Sequence, residues 1–313
     1  MPSAKRNSSR PTRKEPAHLI EIGRQLLDRL TACDLCPHEC GVDRTAGETG
    51  QCGMTDKLVV ASCNLHHGEE PPISGNCGSG TIFFTGCSLA CMYCQNYPIS
   101  QQLVGSVMTI EALADQMIDL QRRGAHNINL VTPDHFFGHI VTAIGLATER
   151  GLTVPIVCNS SGWQKLETLQ LLEGIIDIYL VDMRYDDDEI AGNCSGAKRY
   201  KEINRAAVIE MYSQVGNLSF GPGGVARRGV LIRHLVLPEG RSGSEEIFRF
   251  LAREVSPDTY VSLMSQYFPA HRAVGHPGLG RRITPAEFDK ALEMFYTAGL
   301  KNGYIQEMES AGA

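Results

Sequence analysis

From residue 80 onward the chain alternates short β-prone runs with amphipathic helical stretches, and this rhythm leaves few folds open to it. The β-prone runs lie at 81–85, 127–132, 154–159, 175–182, 230–237 and 260–264. Helical stretches lie at 109–124, 138–150, 164–174, 200–215, 243–254 and 285–298. In the first of these Thr109 is a capping residue and Glu111 complements the helix dipole. Ile110, Leu113, Ala114, Met117 and Ile118 keep helical spacing, and Gly124 ends the helix. Strands separated by helices of this length predict parallel βα units. Six units fall short of the eight that close a full barrel, so the expected fold is α/β, a partial (βα)6 barrel. In such folds the chemistry sits at the C-terminal ends of the strands.

The composition, 42% hydrophobic and 20% charged over 313 residues, suits a soluble protein with one large domain and at most a small appendage. No apolar run approaches the roughly 20 residues that cross a bilayer, and no apolar segment follows the basic start. The expectation is a cytoplasmic protein with no membrane contact. A net charge of -6 gives no electrostatic footprint for nucleic acid. Residues 1–17 read as a disordered basic tail in which Lys5, Arg6, Arg10, Arg13 and Lys14 precede the first acid, Glu15. A weak nucleic-acid tether and a targeting segment are the alternatives there. Seven of the eleven cysteines fall into two tight clusters, a pattern that points to metal rather than to disulfides.

The second cluster follows directly on the first β-prone run. Cys87, Cys91 and Cys94 are spaced C-x3-C-x2-C on the loop expected to leave that strand. Structural zinc and electron-transfer cubanes take four protein ligands. Three thiolates on a 4Fe-4S cluster leave one iron open to an outside ligand. The amino and carboxylate groups of S-adenosylmethionine can chelate that iron, and the reduced cluster can then break the sulfonium C–S bond to give a 5′-deoxyadenosyl radical. The cofactors carry that chemistry; the protein supplies position and exclusion of water.

The motif, with Tyr93 before its last cysteine, resembles the signature of the radical S-adenosylmethionine superfamily. The longer stretch from Thr85-Gly86-Cys87 to Cys94-Gln95-Asn96 resembles the pyruvate formate-lyase activating enzymes. The resemblance implies that Cys87, Cys91 and Cys94 are catalytic cluster ligands and that Tyr93 packs by the adenine. Leu180-Val181-Asp182-Met183-Arg184 is similar to the activases' Asp-x-Lys stretch. Asp182 would then help build a cation or cofactor site, and Arg184 would stand in for the lysine on the cofactor carboxylate. Asn159-Ser160-Ser161-Gly162 is similar to their Asp-Thr-Asn-Gly turn. This makes Ser160 a polar contact and replaces the acid by Asn159. Thr132 and Asp134 stand where other members receive the cofactor's amino group. Arg233 and His234 match an arginine region of the fifth strand, where alternation lets at most one face the interior.

The first cluster, Cys33, Cys36 and Cys40 with Cys52 following, supplies four thiolates for an auxiliary site that suits zinc or a second iron–sulfur cluster equally. Residues 31–56 are too rich in Cys, Gly and turn formers to bury a core of their own, so metal should hold them together. The whole arrangement, with the His66-His67-Gly68-Glu69-Glu70 stretch and Leu263-Met264-Ser265-Gln266-Tyr267, resembles an uncharacterised activase-like branch. His66, Glu69 and Glu70 read either as a proton-handling or substrate-gripping loop or as an ordinary turn. The expected organisation is a tail over 1–17, a helix with the four-cysteine module and a connecting segment over 18–76, the partial barrel over 77–300 and a tail over 301–313. The resemblance implies a glycyl-radical enzyme as protein substrate and flavodoxin or ferredoxin as electron donor. Radical modification of a small molecule or another macromolecule is the alternative, and a non-catalytic metal-binding module the third reading.

Overall fold

The structure, a computed structural model, describes residues 14–306. Its strands are β1 (Val59–His66), β2 (Ser79–Phe84), β3 (Ser106–Val107), β4 (Ile128–Val131), β5 (Ile156–Ser160), β6 (Ile178–Asp182), β7 (Ser219–Phe220), β8 (Ala226–Leu235), β9 (Tyr260–Met264) and β10 (Asn302–Ile305). The helices are α1 (Pro16–Asp28), α2 (Pro71–Ser74), α3 (Tyr97–Ser100), α4 (Ile110–Arg122), α5 (Phe137–Glu149), α6 (Leu166–Leu171), α7 (Asp188–Ser195), α8 (Tyr200–Val215), α9 (Ser244–Phe250) and α10 (Pro285–Thr297).

One sheet runs in the order β10-β9-β8-β6-β5-β4-β2-β1-β3, with β7 paired to β8 beside it. Pairing is parallel from β10 to β2, and β1 and β3 add antiparallel at the far edge. All six expected strands are adjacent in this parallel block. Among the described residues the edges β10 and β3 do not pair, so the sheet stays open. The central strands β5 and β6 are buried throughout, which explains why they read as continuous apolar runs rather than as alternating ones. Helix α4 is capped as expected, Thr109 Oγ1 accepting from the Ala112 N–H at 3.1 Å. Thr284 and Glu287 form a capping box at α10.

Three expectations are corrected. The segment 301–313 is not all tail: Asn302–Ile305 forms β10, a seventh parallel strand, while 307–313 lie outside the described residues. A single Tyr304 and Ile305 among polar neighbours carry too little pattern to announce a strand that is stabilised by pairing with β9. The connecting part of 18–76 contains β1, which pairs along β2 inside the main sheet. Residues 16 and 17 open α1 instead of closing a tail; residues 1–13 lie outside the described residues. Helix α1 packs on α5, where the missing side chain of Gly23 lets backbones meet: a Cβ there would lie 2.8 Å from the Thr142 nitrogen. Among the described residues no helix is long and apolar enough to cross a membrane.

Strand alternation divides the core. Outer-facing residues such as Ile82, Leu130, Cys158, Val181 and Ile232 pack beneath the helices. Inner-facing Val157, Ile178, Leu180 and Leu231 join Ile73, Leu218 and Ala226 in a separate apolar plug inside the barrel. Toward the C-terminal strand ends the inner face turns polar, with Asn159, Asp182 and Arg233, while Asn129 lies in register with Val157 of the plug.

Three buried histidines are held neutral by burial, which lowers His135 to about 3 and His139 and His234 to about 4. Unfolded histidine takes its proton near pH 6.5, so the unfolded chain binds protons that the fold refuses. The stability these groups contribute is complete above pH 6.5 and is lost as pH falls toward 4, on the order of 3 kcal/mol per histidine. Asp134, which burial lifts to about 7, acts in the opposite sense over this window and offsets about one of them. Denaturant midpoints should therefore fall between pH 7 and 5; constant midpoints would contradict the assignment.

Candidate metal and cofactor site

Strand β2 delivers the C-x3-C-x2-C loop to the C-terminal end of the parallel block. Gly86, the residue before Cys87, has φ +83°, and a Cβ there would lie 2.6 Å from the Cys52 carbonyl oxygen and 2.9 Å from Met54 Cγ. Only glycine fits, and the two cysteine clusters meet at this point. The rest of the loop is strapped by a segment to which sequence reasoning assigned no role. The Ala90 and Met92 N–H groups donate to the carbonyls of Ser195 and Cys194 at 2.9 and 2.8 Å, at the end of α7. Arg272 donates to the Ala90 carbonyl at 2.7 Å.

Each thiol has a polar neighbour. The Leu89 N–H donates to Cys87 Sγ at 3.3 Å, and Ser100 Oγ lies 3.3 Å from Cys94 Sγ. Cys91 Sγ takes two donors, Ser195 Oγ at 3.0 Å and Arg184 Nη1 at 2.8 Å. Ser195 continues a buried chain of hydroxyls: Tyr185 lies 2.6 Å from it, and Tyr93 bonds Tyr185. The Tyr93 ring packs edge-on against Tyr267, centroids 5.6 Å apart. Burial pushes the Cys87 and Cys94 thiols up. Among the described residues no three His, Cys, Asp or Glu side chains converge tightly enough to hold a single metal ion. The three thiols share one short loop, and a four-iron cluster holds its ligands farther apart than one ion does.

The structure brings Asp182 and Arg184 to this loop but occupies both. Asp182 accepts from Arg184 at 2.6 and 3.0 Å and from Arg233 at 2.8 Å. Burial works against its charge, yet Arg233 and Arg184 outweigh burial and hold it below the usual carboxylate range. Arg233 also donates to Asn159 Oδ1 at 2.6 Å. A fixed guanidinium thus lies between Asp182 and Asn159, where the resemblance implies a cation site. Of the two fifth-strand candidates, Arg233 faces inward. His234 faces outward, bonded to the Met183 carbonyl at 2.8 Å and Ser244 Oγ at 2.9 Å.

The remaining candidates stand farther along the strand ends. Thr132 has φ +56°, a strained conformation for a β-branched residue, and donates its N–H to the Asn159 carbonyl at 2.9 Å. Ser160 is buried and its hydroxyl donates to Gln164 Oε1 at 3.1 Å. Asp134 is turned inward, accepting from Gln164.

The four-cysteine segment is seated on the same loop. Cys33, Leu35, Cys52, Met54 and Leu58 join the main hydrophobic core, so the segment is built into the domain rather than standing apart. His38 Nε2 bonds the Ser88 carbonyl at 2.7 Å, with its ring edge-on to Trp163. Arg44, wholly buried, donates to the Thr55 carbonyl at 2.6 and 3.0 Å and to the His135 carbonyl at 2.9 Å, and reaches Cys33 Sγ at 3.8 Å. Cys40 and Cys52 Sγ both lie within 3.6 Å of the spot a side chain on Gly50 would fill. Burial lifts the Cys36 thiol to about 12.

No family model matches the chain. An uncharacterised protein of Methanocaldococcus jannaschii, MJ0674, is 28% identical over 282 residues, covering 88% of this chain and 76% of that one. Among solved structures, SuiB of Streptococcus suis bound to S-adenosylmethionine aligns over 72% of this chain and 48% of its own, with TM-score 0.47 and 10% identity. The FeFe-hydrogenase maturase HydG of Carboxydothermus hydrogenoformans aligns over 70% of this chain and 50% of its own, with TM-score 0.47 and 11% identity. The chain spans about half the length of these solved structures.

Proposed function

We propose that this chain is a radical S-adenosylmethionine enzyme whose 4Fe-4S cluster is held by Cys87, Cys91 and Cys94. The observation that carries the reading is the loop itself: three thiols at the C-terminal end of an open parallel sheet, one receiving a guanidinium and a hydroxyl. Cys87, Cys91 and Cys94 would hold the cluster, which there would supply the electron for reductive cleavage of S-adenosylmethionine to a 5′-deoxyadenosyl radical. The protein's part is to strap the loop, exclude water and aim donors at the Cys91 sulfur. Arg184 and Asp182, with Tyr93, Thr132 and Ser160, form the surroundings we assign to the cofactor. For the target we propose a glycyl-radical partner protein, a reading supported by the motif and by the open sheet edge; a second metal group belongs to Cys33, Cys36, Cys40 and Cys52. Anaerobic reconstitution with iron, sulfide and reductant should yield 5′-deoxyadenosine and methionine from S-adenosylmethionine. If neither forms, the reading fails.

Donors to a cluster sulfur stabilise the more negative, reduced state. Ser195→Ala should therefore shift the cluster's midpoint potential negative while iron content stays the same. Potentiometry followed by electron paramagnetic resonance reads this directly, and an unmoved potential would rule out the Ser195 contact as a tuning element.

A further inference from the structure

After β1 ends at His66, the chain turns over Gly68 and lays Glu69 and Glu70 across the inner face of the barrel before α2. Glu69 is nearly enclosed, its side chain 9% exposed. Its Oε1 accepts from Asn129 Nδ2 at 3.1 Å and its Oε2 lies 3.7 Å from Arg233 Nη1, while the Ser74 hydroxyl accepts the Glu69 N–H at 3.0 Å. This polar group borders the apolar plug that contains Ile73 and Val157. Two acceptors in it have no donor: Asn129 Oδ1, on a residue with no exposed surface, and Glu70 Oε2. A buried acceptor without a donor costs about 1–3 kcal/mol, and that cost is recovered only by a ligand that brings N–H or O–H groups.

The charges select between those donors. Carboxylates Glu69, Glu70 and Asp182 face guanidiniums Arg184 and Arg233, so with all five ionised one negative charge is left over; Asp182 pairs with both guanidiniums, and Arg233 is shared with Glu69, whose charge burial opposes. His66 is the other titratable group facing Glu69. We infer that Glu69, Glu70 and Asn129 form a site for a cationic amine of the substrate, carried either by a lysine-type peptide side chain or by a free alkylamine. The inference rests on the proposed function, which places the substrate inside the barrel mouth, and it specifies which end of the substrate is held there. The ammonium supplies three donors to the Asn129 amide oxygen and the two glutamates and balances the charge.

The test is calorimetric titration of the anaerobically reconstituted full chain with S-adenosylmethionine already saturating, so that the cofactor's own amine is not the probe. The probes are n-butylammonium and acetyl-Lys-Gly-amide, each against a neutral analogue, n-butanol and acetyl-norleucyl-Gly-amide. At least about tenfold tighter binding of a cationic probe is expected, from about 1.4 kcal/mol of charge-assisted bonding, and it should vanish in Glu70→Gln. That side chain's Oε2 makes no hydrogen bond in the fold, so the variant should fold. Binding of the free amine identifies a small-molecule source, and binding of the lysyl peptide alone a peptide source; both support the site. Equal binding of charged and neutral probes, no binding of any, or a preference that survives in Glu70→Gln would overturn it. The function itself is read separately, by 5′-deoxyadenosine formation in the parent chain, so the two can fail independently.

Discussion

Cys87→Ala should reduce 5′-deoxyadenosine formation to background, the largest functional effect expected of any single change in this chain. The reason is coordination chemistry rather than stability. The proposed cluster, with one open iron, would already lack one protein ligand, and a second vacancy would remove the hold on it. Cys87 is half-buried and its thiol takes one backbone N–H, so replacing it leaves no large cavity, and the thermal midpoint of the metal-free chain should move little. Iron content, thermal midpoint and 5′-deoxyadenosine, measured together, separate the two effects. Retained product formation would refute the ligand assignment, and a collapse of the apo fold would show that the residue's role is structural.

Arg44→Ala should produce the largest loss of stability. The guanidinium is fully buried and provides the donors for the Thr55 and His135 carbonyls, besides lying 5.8 Å from the Phe136 ring centre. Removing it strands a buried acceptor on His135 and a partly buried one on Thr55, at up to about 1–3 kcal/mol each, and opens a cavity, so a loss of about 4 kcal/mol is expected. Arg44→Lys should recover only part of this, because an ammonium cannot reproduce a planar fork serving carbonyls on two segments. The denaturation midpoint checks the first effect. Metal content after reconstitution checks whether the segment has come loose from the Cys87–Cys94 loop, since Arg44 ties the segment to His135, just after β4.

Much of the scaffold was legible because it is written in local pattern. Short β-prone runs located every strand of the parallel block except β10, period-3.6 apolar spacing located the helices between them, and Thr109 marked the start of α4. The misses share a physical cause. Strand β10 is an edge and β1 lies between β2 and the short edge strand β3; both form by pairing with a partner's free backbone groups, and their own residues carry little of the signal. Helix α7, with Gly192 and Asn193 in its middle, has weak propensity and is stabilised by neighbours. Its last residues are the ones that strap the cysteine loop and place Ser195 on the Cys91 sulfur.

The candidate site divides along the same line. Spacing alone determined that three thiols would share one loop at a strand end and that four more would cluster before it, since a short loop brings such neighbours together in almost any fold. Alternation determined that Arg233 and His234 would part company. Which of the two faces the interior, what Arg184 reaches, and that Cys52 rests on Gly86 were decided by contacts between residues from about 30 to more than 90 positions apart. Those depend on how helices and strands pack around a shared core, and no local pattern encodes them. Glu69 is the clearest case: in the sequence it is half of an acidic pair in a turn, and only its packing against Asn129 and Arg233 on the sheet makes it a buried carboxylate.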